Sequence, residues 1–508
     1  MASGSRLARD GEDGAAGIPD AGALRNTALQ FATQLAGAVF TGALTLYLVR
    51  ALSPSDYGLY ALAVSIGGLL VLPAGLGLPM AVGRFLADHR QDREQVRAIL
   101  ALGLRFQAPA AVLASVALFA AAGPVADAYG HPDLAWPLRG AAAAVAGQTM
   151  FSFLSSVSRS VRQSWIGLRM AVVESAVETA ASASLVVAGL GAAGATLGKA
   201  IGYAVAAAGG LYLTLRLLRR TGTATTRRHV TRRTLMSYAG AMFLVDIGFN
   251  ALAQLDVLLI GALLSTAAVG SFGAVWRVVV LLGYLGPAVA GGVAPRLSLG
   301  GGAPDTGAFN RAIRYLVITE GVVIAPMLVW AGPIVNLLFG PGYPDAAQIL
   351  RALTIYVFVS TPAALISLSV SYLGEGRRRV AAVLGTLVVG CGAIYGLIGA
   401  VGVVGAAYGD DIIAIVYVAA HLWICSRLIT VDMRTLARSL LRTLMAAGAM
   451  ALPLLAIGVD RLGAIQSIIG LIAGGLAYGL VLLVTGEVSV GEVRRIASVV
   501  RAELRPNH

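Results

Sequence analysis

Arg277 stands with Glu178, Asp246, Asp256 and Glu320 in stretches of the chain that are otherwise apolar. A guanidinium stays charged at any working pH and forks onto two oxygens, which suits an anionic group such as a pyrophosphate. Carboxylates in the same setting can take up and release protons or attract a small cation, the chemistry of coupling to H+ or Na+. Asp246, Asn250 and Gln254 recur every four residues, as do Glu174 and Glu178, so each set forms a polar stripe along one helix face. Such stripes admit two readings: walls of a wet cavity, or buried ion pairs that hold helices together, with Arg277 to Asp256 or Asp246 as the pair. Arg25, Arg84 and Arg296 lie at the ends of apolar stretches, where they either gather phosphate or anchor helices at a headgroup layer.

The elements that carry these residues are read from composition. The chain has 508 residues, 57% apolar and 12% charged, with a mean hydropathy of +0.80. A soluble protein of this size has too little polar helix to cover so much apolar helix. About 20 apolar residues span a bilayer core. On that rule the chain is all-α with fourteen membrane spans, near 27–49, 57–83, 98–123, 134–158, 165–190, 193–215, 234–262, 266–293, 309–332, 346–372, 380–400, 403–426, 440–459 and 464–486. Counting about 1.5 Å per residue from the arginine-poor helix ends puts Glu178 and Glu320 about 18 Å deep, Arg277 about 16 Å, Asp256 about 10 Å and Asp246 about 24 Å. Charges at such depths each cost roughly 2.5–3.5 kcal/mol even on insertion scales, so their grouping in one layer points to a solvated compartment. Lys199, Asp410 and Asp411 are expected near the arginine-poor face, within reach of headgroups, and His421 is expected to be packed.

Arginine sorts by side. Arg90, Arg93 and Arg97, Arg159 and Arg162, the run from Arg216 to Arg233, Arg311 and Arg314, Arg377 to Arg379, Arg434 and Arg438, and the tail arginines all fall at one end when the spans are threaded in order. Basic loops stay cytoplasmic, so both termini are expected there. The net charge of +13 is this topological signal with some affinity for anionic lipids, and no sign of nucleic-acid binding. Residues 1–26 are expected to be a disordered leader. Cys391 and Cys425 lie in apolar spans with no histidine ladder, which excludes a disulfide framework or zinc site. There is no GxxxxGK[ST] loop and no HExxH, so neither ATP nor a hydrolytic metal is expected, nor any cofactor or enzymatic step.

The chain also resembles itself at an offset of 212: Ser53 falls on Ser265, Gly58 on Gly270, Tyr60 on Phe272, Arg84 on Arg296 and Arg139 on Arg351. Six spans separate the copies, which makes them parallel repeats about an axis along the membrane normal. The expected organisation is a bundle of six helices at 27–220, a basic linker at 221–233, a second bundle at 234–430, and two extra helices with a tail at 431–508.

Five segments carry a family resemblance: RALSPSDYGLY (Arg50 to Tyr60), GLGLPMAVGR (Gly75 to Arg84), QLDVLLIGA (Gln254 to Ala262), LLFGPGYPDAA (Leu337 to Ala347) and YLGEGR (Tyr372 to Arg377). With fourteen spans they resemble the Wzx-like lipid-linked oligosaccharide flippases of the multidrug/oligosaccharidyl-lipid/polysaccharide exporter superfamily. The resemblance implies two pseudo-symmetric six-helix bundles around a basic cavity, with a final helix pair that in some relatives forms a groove for the lipid tail. It implies passage of undecaprenyl-pyrophosphate-linked glycan from the inner to the outer leaflet of a bacterial plasma membrane by alternating access, beside glycosyltransferases and a glycan polymerase as partners. On this sequence the cavity role falls to Arg277, with Arg25, Arg84 and Arg296 near the inner opening. The acidic layer of Glu178, Asp246, Asp256 and Glu320 is the departure. It keeps a cation-coupled multidrug antiporter open as an alternative, beside a lipid II flippase and, more remotely, a membrane glycan polymerase or ligase.

Overall fold

The computed structural model describes residues 21–89, 92–219, 231–283, 285–297, 304–343, 345–459, 462–489 and 491–492, and among these the regular structure is helical throughout. In chain order the α-helices are α1 (Ala21–Ala51), α2 (Pro54–Gly75), α3 (Leu78–Asp88), α4 (Arg93–Ala128), α5 (Ala135–Ser160), α6 (Ser164–Leu185), α7 (Gly191–Arg219), α8 (Arg232–Leu263) and α9 (Thr266–Leu282). They continue with α10 (Leu285–Val293), α11 (Thr306–Val329), α12 (Ala331–Phe339), α13 (Ala346–Ala352), α14 (Thr354–Tyr372), α15 (Gly376–Val401), α16 (Val403–Leu428), α17 (Met433–Ile457) and α18 (Ala464–Val484). Nine helical segments among the described residues are long and apolar enough to cross a membrane. Most of the leader, most of the basic linker and the tail beyond Glu492 lie outside the described residues, as do the side chains of Arg25, Asp246 and Arg296.

Three of the stretches read as single spans are broken helices: 57–83 is α2 with α3, 266–293 is α9 with α10, and 346–372 is α13 with α14. The first break has a clear cause. Leu76 and Gly77 both take left-handed backbone, with φ of 51° and 64°, and a Cβ on Gly77 would run into the backbone of Ala239 on α8. Hydropathy registers only that the stretch is apolar, so it passes over a turn imposed by a neighbouring helix.

The serine turns at Ser53 and Ser265 are capped alike. Ser53 Oγ accepts from Asp56 N at 3.1 Å, and Ser265 Oγ accepts from Ala268 N at 3.3 Å. Pro54 opens α2, where its missing N–H costs nothing. The two helices started by these turns, α2 and α9, then meet at their glycines. A Cβ on Gly58 would strike the carbonyl of Thr266, and one on Gly270 would strike the carbonyl of Pro54. Beside this crossing Ser55 Oγ and Thr266 Oγ1 are 2.6 Å apart. Tyr343 Oη donates to Val49 O at 3.0 Å, and Arg50 Nε donates to Leu338 O at 3.1 Å, which ties the end of α1 to α12 and the loop after it. The arginine-poor end is thus shut.

The last pair, α17 and α18, packs on α11. Trp330 Nε1 donates to the carbonyls of Leu454 at 3.1 Å and Gly458 at 3.0 Å, and Tyr478 Oη donates to Ile318 O at 2.6 Å. At the arginine-rich end Glu487 is buried, and takes Arg314 at 2.8 Å, Arg442 at 3.0 Å and the Ser439 hydroxyl at 2.6 Å. Burial pushes the Glu487 carboxyl up, but these donors outweigh it and hold it below the ordinary carboxylate range. Glu492, at 3.3 Å from Arg314, is drawn down to about 2, chiefly by the Ser489 backbone amide. A folded-state value below the unfolded one gives stability that is present above the unfolded value of about 4.3 and is lost as pH falls through the folded one. Glu487→Gln is therefore expected to cost about 2 kcal/mol at pH 7, read as a lower melting temperature of the purified protein, because it leaves two arginines short of a partner. The deficit relative to the parent should shrink below about pH 4.

Candidate functional site

A cavity of about 840 Å³ lies between α1, α2, α5, α6 and α7 on one side and α8 and α9 on the other. It reaches from Tyr60 and Lys199 toward the arginine-rich end, where Arg159 and Ser164 line it at the turn joining α5 to α6. Its walls are polar for structural reasons that begin with helix periodicity: Gln148, Ser152, Ser155, Ser156 and Arg159 fall on one face of α5. Ser156 Oγ is already a donor, giving its proton to Pro79 O at 2.6 Å. The serine oxygens keep lone pairs that can accept from a hydroxyl-rich ligand.

The charged residues among the described lining are Arg159, Lys199 and Arg277 against Glu174 and Glu178. Two glycines bring the first group together. A Cβ on Gly198 would meet Ser182, and one on Gly202 would meet Glu178 Cβ at 2.8 Å and Glu174 O at 2.9 Å, so α6 and α7 touch backbone to backbone. That closeness lets Lys199 Nζ reach Glu178 Oε1 at 3.0 Å and lie 5.0 Å from the centre of the Tyr203 ring. Glu174, one helical turn before Glu178, lines the same wall, its Oε2 accepting from Ser175 Oγ at 2.9 Å. Arg277 enters from α9. It meets the hydroxyl of Tyr57, which also faces Thr45, and it lies within electrostatic reach of Tyr60 and Glu178.

Several expectations are corrected here. Arg277 does not pair with Asp256: among the described residues no carboxylate stands within ion-pair distance of it. Asp256 is buried elsewhere, its Oδ1 accepting from Val257 N at 2.7 Å and its Oδ2 without a partner. Glu320 also lies away from the cavity, between α11 and α14 beside Thr361, with Oε1 unpartnered. Counting residues along a helix gives depth and says nothing of azimuth, so groups at one level, expected in one compartment, face different ones. Lys199 is a cavity residue and not a headgroup contact. Asp410 and Asp411 are buried at 5% and 4% exposure, not at the surface. Arg84 is exposed, its guanidinium 4.7 Å from the Tyr238 ring, and does not line the cavity. His421 is packed, Nδ1 2.7 Å from Tyr417 O and its ring 4.1 Å from that of Tyr417.

Asp256, Asp410 and Asp411 form a second polar group, from α8 and α16. Asp411 Oδ1 accepts from Tyr356 N at 2.7 Å, yet the Oδ2 of each of the three is buried without a hydrogen-bond partner. Among the described residues no three ligating side chains converge as for a metal ion.

Comparison with known proteins agrees with this architecture. A profile of the family described as "Polysaccharide biosynthesis protein" matches residues 21–300. No curated protein matches the sequence significantly. Among solved structures, the lipid II flippase MurJ in an inward closed conformation superposes with a TM-score of 0.72 at 13% identity, over 90% of this chain and 98% of that one. An inward-facing multidrug resistance MATE family transporter of the MOP superfamily gives 0.59 at 15% identity, over 78% and 94%. A MATE transporter in its straight conformation gives 0.52 at 16% identity, over 80% and 95%. With the family profile covering more than half its length, this chain belongs to the polysaccharide biosynthesis protein family, and its many apolar helices take the fold shared by MurJ and MATE proteins.

Proposed function

We propose that the protein moves undecaprenyl-pyrophosphate-linked oligosaccharide or polysaccharide repeat units from the inner to the outer leaflet of a bacterial plasma membrane by alternating access. The observation that carries this reading is Arg277, a cavity-wall guanidinium with no carboxylate among the described residues at ion-pair distance, beside a wall of hydroxyl and amide groups. A sugar headgroup cannot enter hydrocarbon unaided, because its hydroxyls lose their water partners. A polar cavity of this volume, within the range of ordinary ligand sites, replaces that water while the polyprenyl tail stays in lipid. With the arginine-rich end in the cytoplasm, the cavity extends toward the donor leaflet and ends at the Gly58 and Gly270 crossing on the other side. No covalent step is required. Glycosyltransferases on the cytoplasmic side would supply the substrate, and a polymerase beyond the membrane would consume it.

The orphan oxygens of Asp256, Asp410 and Asp411 favour ion coupling as part of this reading. Three buried carboxylates with so few donors demand positive charge, which protons supply without the convergence a metal needs. This is also the feature that a cation-coupled multidrug antiporter would use. The discriminating experiment is deletion of the gene in its host. Loss of a surface polysaccharide with accumulation of its lipid-linked repeat unit in the inner leaflet, and normal cell-wall synthesis, is the expected outcome. Arrested cell-wall synthesis would point to lipid II as cargo, and altered drug resistance with normal glycan would overturn the proposal.

A further inference from the structure

Lys199 is held in the cavity by a counter-ion that a substrate anion can replace. Glu178 occupies its ammonium at 3.0 Å, and side-chain exposure is 15% for the lysine and 10% for the glutamate, so the pair is shielded yet open to the cavity. Glu178 lies in the field of both Lys199 and Arg277, and Tyr60 likewise faces both cations, so the two positive groups address one region of the wall from α7 and α9. A doubly charged diphosphate matches that spacing of charge better than a single carboxylate does. Resting on the flippase reading above, we infer that Lys199 and Arg277 form a two-sided clamp for the substrate diphosphate, with Glu178 as the resident anion that the substrate displaces, and that each binding event draws a proton into the Glu174 and Glu178 pair.

The proton follows from charge balance. Before binding, Lys199 neutralises Glu178 at 3.0 Å, and Glu174 stands one helical turn away on the same face of α6. When a diphosphate oxygen takes the ammonium, Glu178 is left as a buried charge beside a carboxyl and takes a proton from solvent to become neutral. No bond other than O–H is made. The groups facing the pair are Lys199 and Tyr203 from α7, Tyr60 from α2 and Arg277 from α9, with the Ser175 hydroxyl on α6 itself. Lys199 is the cation whose partner changes. On release the steps reverse: Glu178 loses its proton, recaptures Lys199 and expels the diphosphate. The glutamate thus serves as a competitor that prevents the clamp from holding its cargo.

The test is calorimetric titration of the full-length protein in nanodiscs with farnesyl diphosphate, in two buffers of different ionisation enthalpy, with farnesol as control. The expected result is binding of the diphosphate only, with uptake of about one proton per ligand at pH 7. Lys199→Gln should weaken binding by at least about tenfold and abolish the uptake. Glu178→Gln should bind at least as tightly as the parent with no uptake. Because Lys199→Gln alone leaves Glu178 buried and unpaired, Lys199→Gln/Glu178→Gln is the variant that keeps the fold intact; it too should bind weakly and take up no proton. If the parent binds no diphosphate, the flippase reading fails and this inference with it. If the parent binds and Arg277→Ala does not, while the double variant matches the parent in affinity and proton uptake, the clamp is refuted and the flippase reading stands.

Discussion

Oxidation of the double variant Ser55→Cys/Thr266→Cys is expected to abolish translocation completely, and reduction to restore it. The two hydroxyls are 2.6 Å apart at the shut end of the cavity, on helices that cross at Gly58 and Gly270 with no room for a Cβ on either. A hydroxyl pair 2.6 Å apart puts the two side chains within reach of each other, so a mild oxidant should join the cysteines that replace them. In alternating access this crossing must part for cargo to leave. The crossing is polar and small, with a hydroxyl pair and two glycines, so it can open at a cost of a few kcal/mol, which a differential affinity of cargo for the two states can supply. A covalent bond cannot. Oxidised protein that is folded, binds cargo and still moves it would show that the α2 and α9 crossing is not the gate.

Arg277→Ala should reduce delivery of lipid-linked glycan by roughly 30- to 1000-fold, which corresponds to about 2–4 kcal/mol for removing a charge-assisted, forked interaction from a shielded site. Protein abundance should be unchanged, because the side chain has no carboxylate among the described residues at ion-pair distance to strand; the Tyr57 hydroxyl loses its contact with the guanidinium, and Thr45 remains beside it. Arg277→Lys keeps the charge and gives up the fork, so it should fall between the two. The readouts are immunoblot for abundance and surface glycan for delivery. Normal glycan in Arg277→Ala would remove this residue from the mechanism, whereas loss of glycan together with loss of protein would mark it as structural.

Much of the fold is legible in the residues themselves. The apolar stretches coincide with helices because length and hydropathy are local properties, and the serine turns at Ser53 and Ser265 are capped as their side chains dictate. The site is only half legible. Glu174 and Glu178 line the cavity, as a stripe of period four suggests, and Arg277 stands on its wall. Lys199 is misplaced by counting depth from a helix end, because its reach is set by Gly198 and Gly202, which let α7 close on α6. A glycine on each side of the chain's single lysine, all on the face toward α6, is the signal that marks it. The serines of α5 form a visible helical face from Gln148 to Arg159, yet hydropathy passes over them because hydroxyls barely lower it. Asp256 and Glu320 mislead for the opposite reason: their depth is legible and their azimuth is not, and each is turned into its own buried surroundings.

The central claim is that this cavity carries a diphosphate-linked glycan across the bilayer. The most direct test reconstitutes the purified protein in vesicles with a fluorescent undecaprenyl-pyrophosphate-linked oligosaccharide and follows its exposure to a membrane-impermeant quencher. Protein-dependent transfer between leaflets, abolished in Arg277→Ala and in oxidised Ser55→Cys/Thr266→Cys, is the predicted result. Transfer at the protein-free rate under every imposed ion gradient, by protein that is folded and correctly inserted, would contradict it.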